Sequence, residues 1–126
     1  MNNLFAVNTP LAIDIEFATI NNPNYRQVLY TGKFQVVVMS LLPGEEIGYE
    51  FHSDRDQFIR VESGSGIGVI TNTQFKLENG STLVVPAGYG HNVINTGNED
   101  LKLYTIYSTP EHPFNRLQVN KPSESE

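Results

Sequence analysis

The sequence predicts an all-β fold, a barrel or sandwich built from many short strands. Nine short runs rich in β-branched and aromatic residues recur at intervals of roughly 8–12 residues, as is typical of such folds. Gly, Asn, Asp and Pro separate these runs, and those residues favour tight turns. The best candidate for a helix, residues 9–20, is rich in β-branched residues, so no helix of convincing length is predicted.

Each predicted strand is a run of five to nine residues bounded by turn signals. The strands are expected at residues 26–31, 34–42, 47–52, 57–62, 66–71, 74–78, 81–86, 91–95 and 101–108. The segments between them include "PGEE", "SGSG", "PAGYG" and "NTGNED", in which glycine, asparagine and proline supply the backbone angles of turns.

The chain of 126 residues is long enough for one domain with one core. We expect three parts. An apolar segment, 1–22, forms a strand that packs on the barrel or is exchanged across a dimer. The barrel itself occupies 23–114. A polar tail, 115–126, ends in "NKPSESE" and lacks an apolar anchor.

Composition narrows the class of partner. The net charge is −6 and no basic run occurs, which disfavours a nucleic-acid partner. No apolar run approaches the roughly 20 residues that span a bilayer, and the N-terminus lacks the basic start of a signal peptide. With no cysteine there is neither a disulfide nor a thiolate ligand. We therefore predict a cytoplasmic protein that binds a small molecule, with no membrane or nucleic-acid partner.

Four polar side chains could meet at one point. Glu50 and His52 are two residues apart, so they leave the same face of the predicted strand 47–52. A hairpin through "SDRD" would bring Gln57 opposite His52. His91 opens a later strand, just after "PAGYG". Carboxylate, imidazole and amide groups brought together in this way are metal ligands.

Two spaced motifs resemble those of the cupin superfamily. The first family motif reads G-x5-H-x-H-x3,4-E-x6-G, and the spacing is kept here by Gly44, Glu50, His52, Gln57 and Gly64. Two identities differ: Glu50 stands where the family has its first histidine, and Gln57 stands where it has glutamate. The chain is most similar to small single-domain cupins described as sugar-isomerase-like.

The second family motif, G-x5-P-x-G-x2-H-x3-N, is matched at every fixed position by Gly80, Pro86, Gly88, His91 and Asn95. The resemblance implies a double-stranded β-helix, or jelly-roll, barrel with a metal near its mouth. The metal would be divalent manganese, iron, zinc, nickel or cobalt.

By position in the motifs, the resemblance implies Glu50, His52, Gln57 and His91 as the metal ligands. Glutamate for histidine keeps a good ligand and adds a charge. Glutamine for glutamate removes a charge and leaves a weaker donor. Two alternatives stay open: Gln57 lies behind the ligands rather than among them, or the site has lost its metal.

Other polar residues lie outside the proposed ligand set. Lys102 is expected to face solvent, which turns Tyr107 towards the interior, where its phenol could orient a substrate or donate a proton. Core packing is the alternative for Tyr107. Arg60 points away from the Gln57 face, Arg26 is expected in a surface ion pair, and a carboxylate clamp is the alternative for Arg26. His112 is expected in a surface loop, and the alternative is that it caps the barrel mouth and acts as an acid or base.

Three functions fit this pattern. The first is a metal-dependent, isomerase-like enzyme that acts on a sugar, a sugar acid or a similar polar molecule, with Glu50 or Tyr107 as the catalytic proton shuttle. The second is a non-haem dioxygenase of the quercetinase type. The third is a non-catalytic ligand-binding or scaffold module, which the neutral Gln57 favours. Outward-facing Phe51 and Phe58 also predict a homodimer.

Overall fold

Ten strands and one short helix make up the ordered elements of the computed structural model, which describes residues 5–123. In chain order they are β1 (Ala6–Val7), α1 (Ile15–Ile20), β2 (Arg26–Thr31), β3 (Gln35–Leu41), β4 (Gln57–Ser63), β5 (Gly66–Ile70), β6 (Thr73–Leu77), β7 (Thr82–Val85), β8 (His91–Ile94), β9 (Leu101–Tyr107) and β10 (Leu117–Gln118).

The strands form two sheets that enclose one core. The larger sheet has the order β1–β2–β3–β9–β4–β7, with β10 also paired to β2, and the smaller one has the order β6–β5–β8. All pairs are antiparallel except β1 with β2. Fully buried aliphatic side chains from both sheets fill the space between them, among them Leu41, Val61, Leu77 and Leu103. The all-β jelly-roll prediction is confirmed.

Strand alternation sets which side chains face the core. In β9 every second residue from Leu101 to Tyr107 is buried, and the residues between them, including Lys102, are partly exposed. In β4, Gln57 is buried while Arg60 lies on the outer face, as predicted. Period-two alternation therefore predicted the inward positions of both central strands.

The predicted strand over 47–52 is wrong, and so is the hairpin that would have joined it to Gln57. Around this segment, residues 46–50 contact β8 through two isolated bridges, Glu46 to Ile94 and Glu50 to His91, and through single hydrogen bonds such as that from the Ile47 amide to the Val93 carbonyl. Gly48, between the bridges, has a φ of +104°, which breaks the extended conformation. The strand that Gln57 opens pairs instead with β7 and β9.

The N-terminal segment contains a helix as well as a strand. Asp14 caps α1, because its carboxylate accepts a hydrogen bond of 3.0 Å from the Phe17 amide. Before the helix, β1 pairs with β2 of the same chain. Residues 1–4 of the predicted segment lie outside the described residues, and its exchange across a dimer stays a prediction.

The C-terminal segment after the barrel also pairs with β2, through β10. Further along, the Lys121 ammonium donates to the Glu46 carbonyl at 2.6 Å. The last three residues of the predicted tail, 124–126, lie outside the described residues. Within residues 5–123, no helix has the length and apolar character needed to cross a bilayer.

Candidate metal centre

Glu50 and His91 are held directly opposite each other by the backbone. The Glu50 amide donates to the His91 carbonyl at 2.8 Å, and the His91 amide donates to the Glu50 carbonyl at 3.0 Å. Residues opposed in an antiparallel pair project to the same face. Glu50 Oε1 therefore lies 3.6 Å from His91 Nε2, with both side chains directed into the barrel mouth.

His52 completes a cluster of three potential ligands. One ligand atom from each of Glu50, His52 and His91 lies within 4.8 Å of the other two. His52 Nε2 is 3.6 Å from Glu50 Oε1, and it is buried without a hydrogen-bond partner among the described residues. The other ring nitrogen, Nδ1, is 3.6 Å from a carboxylate oxygen of Glu111. A carboxylate on the far nitrogen is the usual way to orient a metal-binding histidine.

The hydrogen bonds of His91 leave its inner nitrogen facing two side chains of the cluster. Its Nδ1 lies 3.0 Å from the Tyr89 carbonyl, so Nδ1 carries the proton of the neutral ring. Its Nε2 lies 2.9 Å from Gln57 Oε1 and 3.6 Å from Glu50 Oε1. A second proton on His91, the opposite orientation of the Gln57 amide, or a metal ion between the groups would each satisfy this arrangement.

Gln57 belongs to the cluster although the predicted hairpin is absent. It opens β4, opposite Tyr107 of β9 and Val85 of β7, and it is buried. Its amide nitrogen donates to the Thr105 hydroxyl at 2.9 Å, which leaves the amide oxygen directed at His91. All four predicted ligand residues are thus brought together. Which of them bind a metal stays a prediction.

Glu50 and His91 each shift the pKa of the other group in the direction that favours its charged form. Burial alone would raise the pKa of Glu50, but the His91 ring beside it and the charges of His52, His91 and Arg26 lower that pKa below its usual value. Burial would lower the pKa of His91, yet Glu50 and the Tyr89 carbonyl raise it above its usual value. The metal-free site therefore favours a carboxylate beside an imidazolium.

Metal binding should depend on pH because a proton competes with metal for His91. Affinity for Co²⁺ should fall by about tenfold for each pH unit below the pKa of His91. Because that pKa is raised, the fall should begin at a higher pH than for an ordinary imidazole. Competition titrations from about pH 5 to pH 8 test this. An affinity that does not change over that range would contradict it.

The same two pKa shifts make the stability of the metal-free protein depend on pH. His91 contributes stability below its usual pKa of 6.5 and loses it as the pH rises through the raised value. Glu50 contributes stability above its usual pKa of 4.5 and loses it as the pH falls through the lowered value. The contribution of the pair should therefore be largest between these two usual values.

Tyr107 lies beneath the cluster rather than in the open mouth. It is buried, its ring packs edge-on against His52 with centroids 6.0 Å apart, and its hydroxyl is 3.5 Å from His112 Nε2. Burial raises the pKa of the phenol, so the hydroxyl stays protonated. It can donate a hydrogen bond and cannot act as a phenolate base. The predicted catalytic role of Tyr107 stays a prediction.

The placement of Arg26 differs from the expected surface ion pair. Only 4% of Arg26 is exposed, and it lines a cavity of about 560 Å³ together with Glu50. Arg26 is two residues before the buried Val28 on β2, so alternation could have placed it inside. The usual preference of arginine for the surface led to the wrong expectation.

The loop that holds Glu111 and His112 lines the cavity, which is the alternative position for His112, whereas Glu111 was not expected at the site. The buried Gln35 accepts hydrogen bonds from both backbone amides at 3.0 Å and donates to the His112 carbonyl at 2.8 Å. Arg55 pairs with the Glu111 carboxylate at 2.8 Å. These contacts place Glu111 behind His52. They also place His112 at the cavity wall. A buried glutamine that satisfies a distant loop has no local sequence signal.

Comparison with known proteins points to one family. The "Cupin domain" family matches residues 37–107. "Uncharacterized protein YrkC" of Bacillus subtilis (strain 168) is 48% identical over 119 residues, which is 89% of this chain and 64% of that protein. The chain thus spans less than two thirds of that relative.

Solved structures show the same fold. The crystal structure of BH2720 from Bacillus halodurans superposes on this chain with a TM-score of 0.87 at 39% sequence identity. The matched region covers 89% of this chain and 90% of BH2720. A sugar phosphate isomerase from a cupin superfamily, from Silicibacter pomeroyi, has a TM-score of 0.56 at 23% identity, over 62% of this chain and 51% of its own. The latter similarity extends to the fold alone.

Proposed function

The chain belongs to the cupin family, and on that premise we propose that Glu50, His52 and His91 bind a divalent transition metal. Gln57 is proposed as a fourth, weaker donor through its amide oxygen. One observation carries the proposal: one potential ligand atom from each of these three side chains lies within 4.8 Å of the other two. The buried His52 Nε2, without a hydrogen-bond partner among the described residues, supports it.

The donor set suits manganese, iron, cobalt, nickel or zinc, because it mixes imidazole nitrogen with carboxylate and amide oxygen. A bound metal would supply Lewis acidity to a carbonyl or hydroxyl oxygen of a substrate. The residues around it determine what else can happen. Glu50 could move a proton at its carboxylate oxygen, and Tyr107 could hold a proton at its phenol oxygen.

We propose an isomerase-like enzyme that acts on a sugar, a sugar acid or a similar polar molecule. Polar and charged side chains line the cavity above the cluster, including Arg26, Glu50, Glu111 and Lys121. Such a surface suits a ligand with several hydroxyl or carboxylate groups. The relative from Silicibacter pomeroyi carries a sugar phosphate isomerase description on the same fold.

A dioxygenase is the second candidate, favoured by the ligand types. Two histidines and one carboxylate, as in Glu50, His52 and His91, match the set used by non-haem Fe(II) oxygenases. A non-catalytic binding or scaffold module is the third. The direct contact between Gln57 and His91 favours it, because those two side chains can partner each other without metal when His91 is protonated.

Metal-reconstituted protein separates these functions. We would follow aldose and ketose sugars and their acids by proton NMR for isomerisation, with Mn²⁺, Zn²⁺ or Ni²⁺ bound, and measure oxygen uptake with Fe²⁺ bound. Glu50→Gln should abolish the enzymatic reaction, whereas Glu78→Gln, which changes an exposed carboxylate just after β6, should not. Turnover unchanged in Glu50→Gln would refute the catalytic role of Glu50. No turnover with any of these metals would refute the enzyme proposal, and ligand binding without turnover would establish the third function.

We also propose a homodimer formed through the outer face of the large sheet. Apolar side chains on that face include Val84, which is 61% exposed, and Phe58 of the neighbouring strand, which stacks on Tyr104, while Arg60 and Lys102 also lie on it. Phe34, just before β3, is also exposed. Apolar surface of this extent usually marks an interface. The cytoplasmic location stays a prediction from sequence.

Light scattering at micromolar concentration should give twice the mass of the chain. Val84→Asp should reduce it to the mass of one chain, because a carboxylate would be buried in the interface. Thr73→Asp, an exposed position on the smaller sheet, is the matched control and should remain dimeric. A single-chain mass for the wild-type protein would contradict the proposal.

A further inference from the structure

Resting on the proposed metal site, we propose that Arg26 is the anchor for a carboxylate group of the ligand. The ligand class is then a hydroxy- or oxo-acid, with its carboxylate on Arg26 and its neighbouring oxygen directed towards Glu50 and the histidines. This narrows the substrate from any polar small molecule to an acid and makes Arg26 a specificity residue.

The hydrogen bonding of Arg26 leaves a donor for a ligand. Its Nη1 donates to Gln118 Oε1 at 2.6 Å, and its guanidinium lies 5.0 Å from the centre of the Tyr25 ring. Its Nε is buried and has no hydrogen-bond partner among the described residues. Buried donors are nearly always satisfied, and leaving one unsatisfied is costly. A ligand acceptor that reaches this guanidinium would recover that cost.

No carboxylate within residues 5–123 forms an ion pair with Arg26 at 4.0 Å or less. An arginine residue that is only 4% exposed is ordinarily paired, since an unpaired buried charge is strongly unfavourable. The charge of Arg26 lowers the pKa of Glu50, but the Glu50 carboxylate makes no ion pair with Arg26 and lies 3.6 Å from a nitrogen of each of two histidines. A ligand carboxylate would therefore give Arg26 a direct counter-charge.

The charge of the mouth also favours an anion. Gln57 is neutral where the family pattern has glutamate, so a divalent metal with the Glu50 carboxylate keeps one net positive charge. Arg26, Arg116 and Lys121 line the cavity, against Glu50 and Glu111. On a chain of net charge −6, this is a local positive region. A guanidinium fork binds either a carboxylate or a phosphate through paired oxygens, so titrations with both anions are needed to test the carboxylate.

The test uses the full chain, stripped of metal and reloaded with one equivalent of Co²⁺. Cobalt retention reports on the proposed metal site. Calorimetric titration with glycolate, ethylene glycol and inorganic phosphate reports on Arg26. Glycolate and ethylene glycol share one hydroxyl group and differ in the carboxylate. Wild type is compared with Arg26→Gln and with Arg60→Gln, which removes a guanidinium from the outer face of β4.

Arg26→Gln should weaken glycolate binding by roughly 10- to 100-fold, as expected for a lost hydrogen bond to a charged group. It should leave cobalt retention unchanged, and Arg60→Gln should leave both unchanged. Cobalt retained with glycolate affinity unchanged in Arg26→Gln would overturn the Arg26 inference alone. Cobalt lost from the wild type, with glycolate affinity still dependent on Arg26, would overturn the metal proposal alone.

Two further results keep the inference open to refutation. Arg26→Lys keeps the charge and loses the planar fork, so this variant should bind glycolate about tenfold more weakly than the wild type. It provides the test if Arg26→Gln does not fold. Full glycolate affinity in Arg26→Lys would contradict the carboxylate fork. Phosphate that binds more tightly than glycolate, in an Arg26-dependent way, would overturn the carboxylate as the ligand class.

Discussion

His91→Ala should weaken Co²⁺ binding by more than about 100-fold, since even residues behind metal ligands contribute 10- to 100-fold. His91 is the most buried of the three proposed ligands, and its Nε2 approaches both Glu50 and Gln57. Alanine would remove the nitrogen that approaches both oxygens and one of the two imidazole nitrogens that lie 3.6 Å from the Glu50 carboxylate. His52→Ala should act in the same direction, because its unpartnered Nε2 would also be lost.

His112→Ala is the control for that experiment. His112 is the third and last histidine of the chain, and its ring lies against Tyr107 with centroids 5.5 Å apart, outside the three-residue cluster. It should therefore retain cobalt. Binding is measured by competition with a chromophoric chelator, with thermal unfolding of each variant as a check on folding. Equal losses in His91→Ala and His112→Ala would place the metal elsewhere in the mouth.

Gln57→Glu should tighten metal binding by about tenfold or more, because it restores a carboxylate 2.9 Å from His91 Nε2. The Thr105 hydroxyl can rotate and donate to the new carboxylate, so the buried side chain keeps a partner. Without metal, the new charge lies near Glu50 and should destabilise the fold by like-charge repulsion. The gain in melting temperature on adding metal should therefore be larger than for the wild-type protein.

Gln74→Glu supplies the matched control, since it makes the same change at an exposed position on β6. Its cobalt affinity and its metal-dependent melting shift should equal those of the wild-type protein. If Gln57→Glu leaves cobalt affinity unchanged, Gln57 lies outside the coordination sphere. If it abolishes the affinity, the neutral amide is itself required, and the proposed fourth donor is wrong.

Local sequence patterns predicted most of the barrel. Alternation in the strand ending at Tyr107 placed that side chain inside and Lys102 outside, because the period of a strand is fixed by its backbone. The same reasoning gave a wrong prediction for segment 47–52, which is not a strand. Its apolar and polar residues alternate, but Gly48 takes a positive φ, and alternation carries no information about a single glycine angle.

The sequence predicted which four residues are candidate ligands, but not the contacts that bring them together. Spacing identified Glu50 and His91, whereas the reason they meet is a backbone bridge between segments 41 residues apart in the chain. Long-range pairing of this kind has no local signature. Glu111, held behind His52 by Arg55 and by the loop that Gln35 binds, depends on the same long-range folding. Strand alternation could have predicted that Arg26 faces inward. It was placed at the surface because arginine usually lies there.

The central claim is that one divalent metal binds between Glu50, His52 and His91. Anomalous diffraction from a crystal of the full chain loaded with Co²⁺, recorded at the cobalt absorption edge, tests it most directly. The account predicts one strong peak within bonding distance of all three side chains. A peak at Glu111 and His112 instead, or no peak in a crystal grown with excess cobalt, would contradict it.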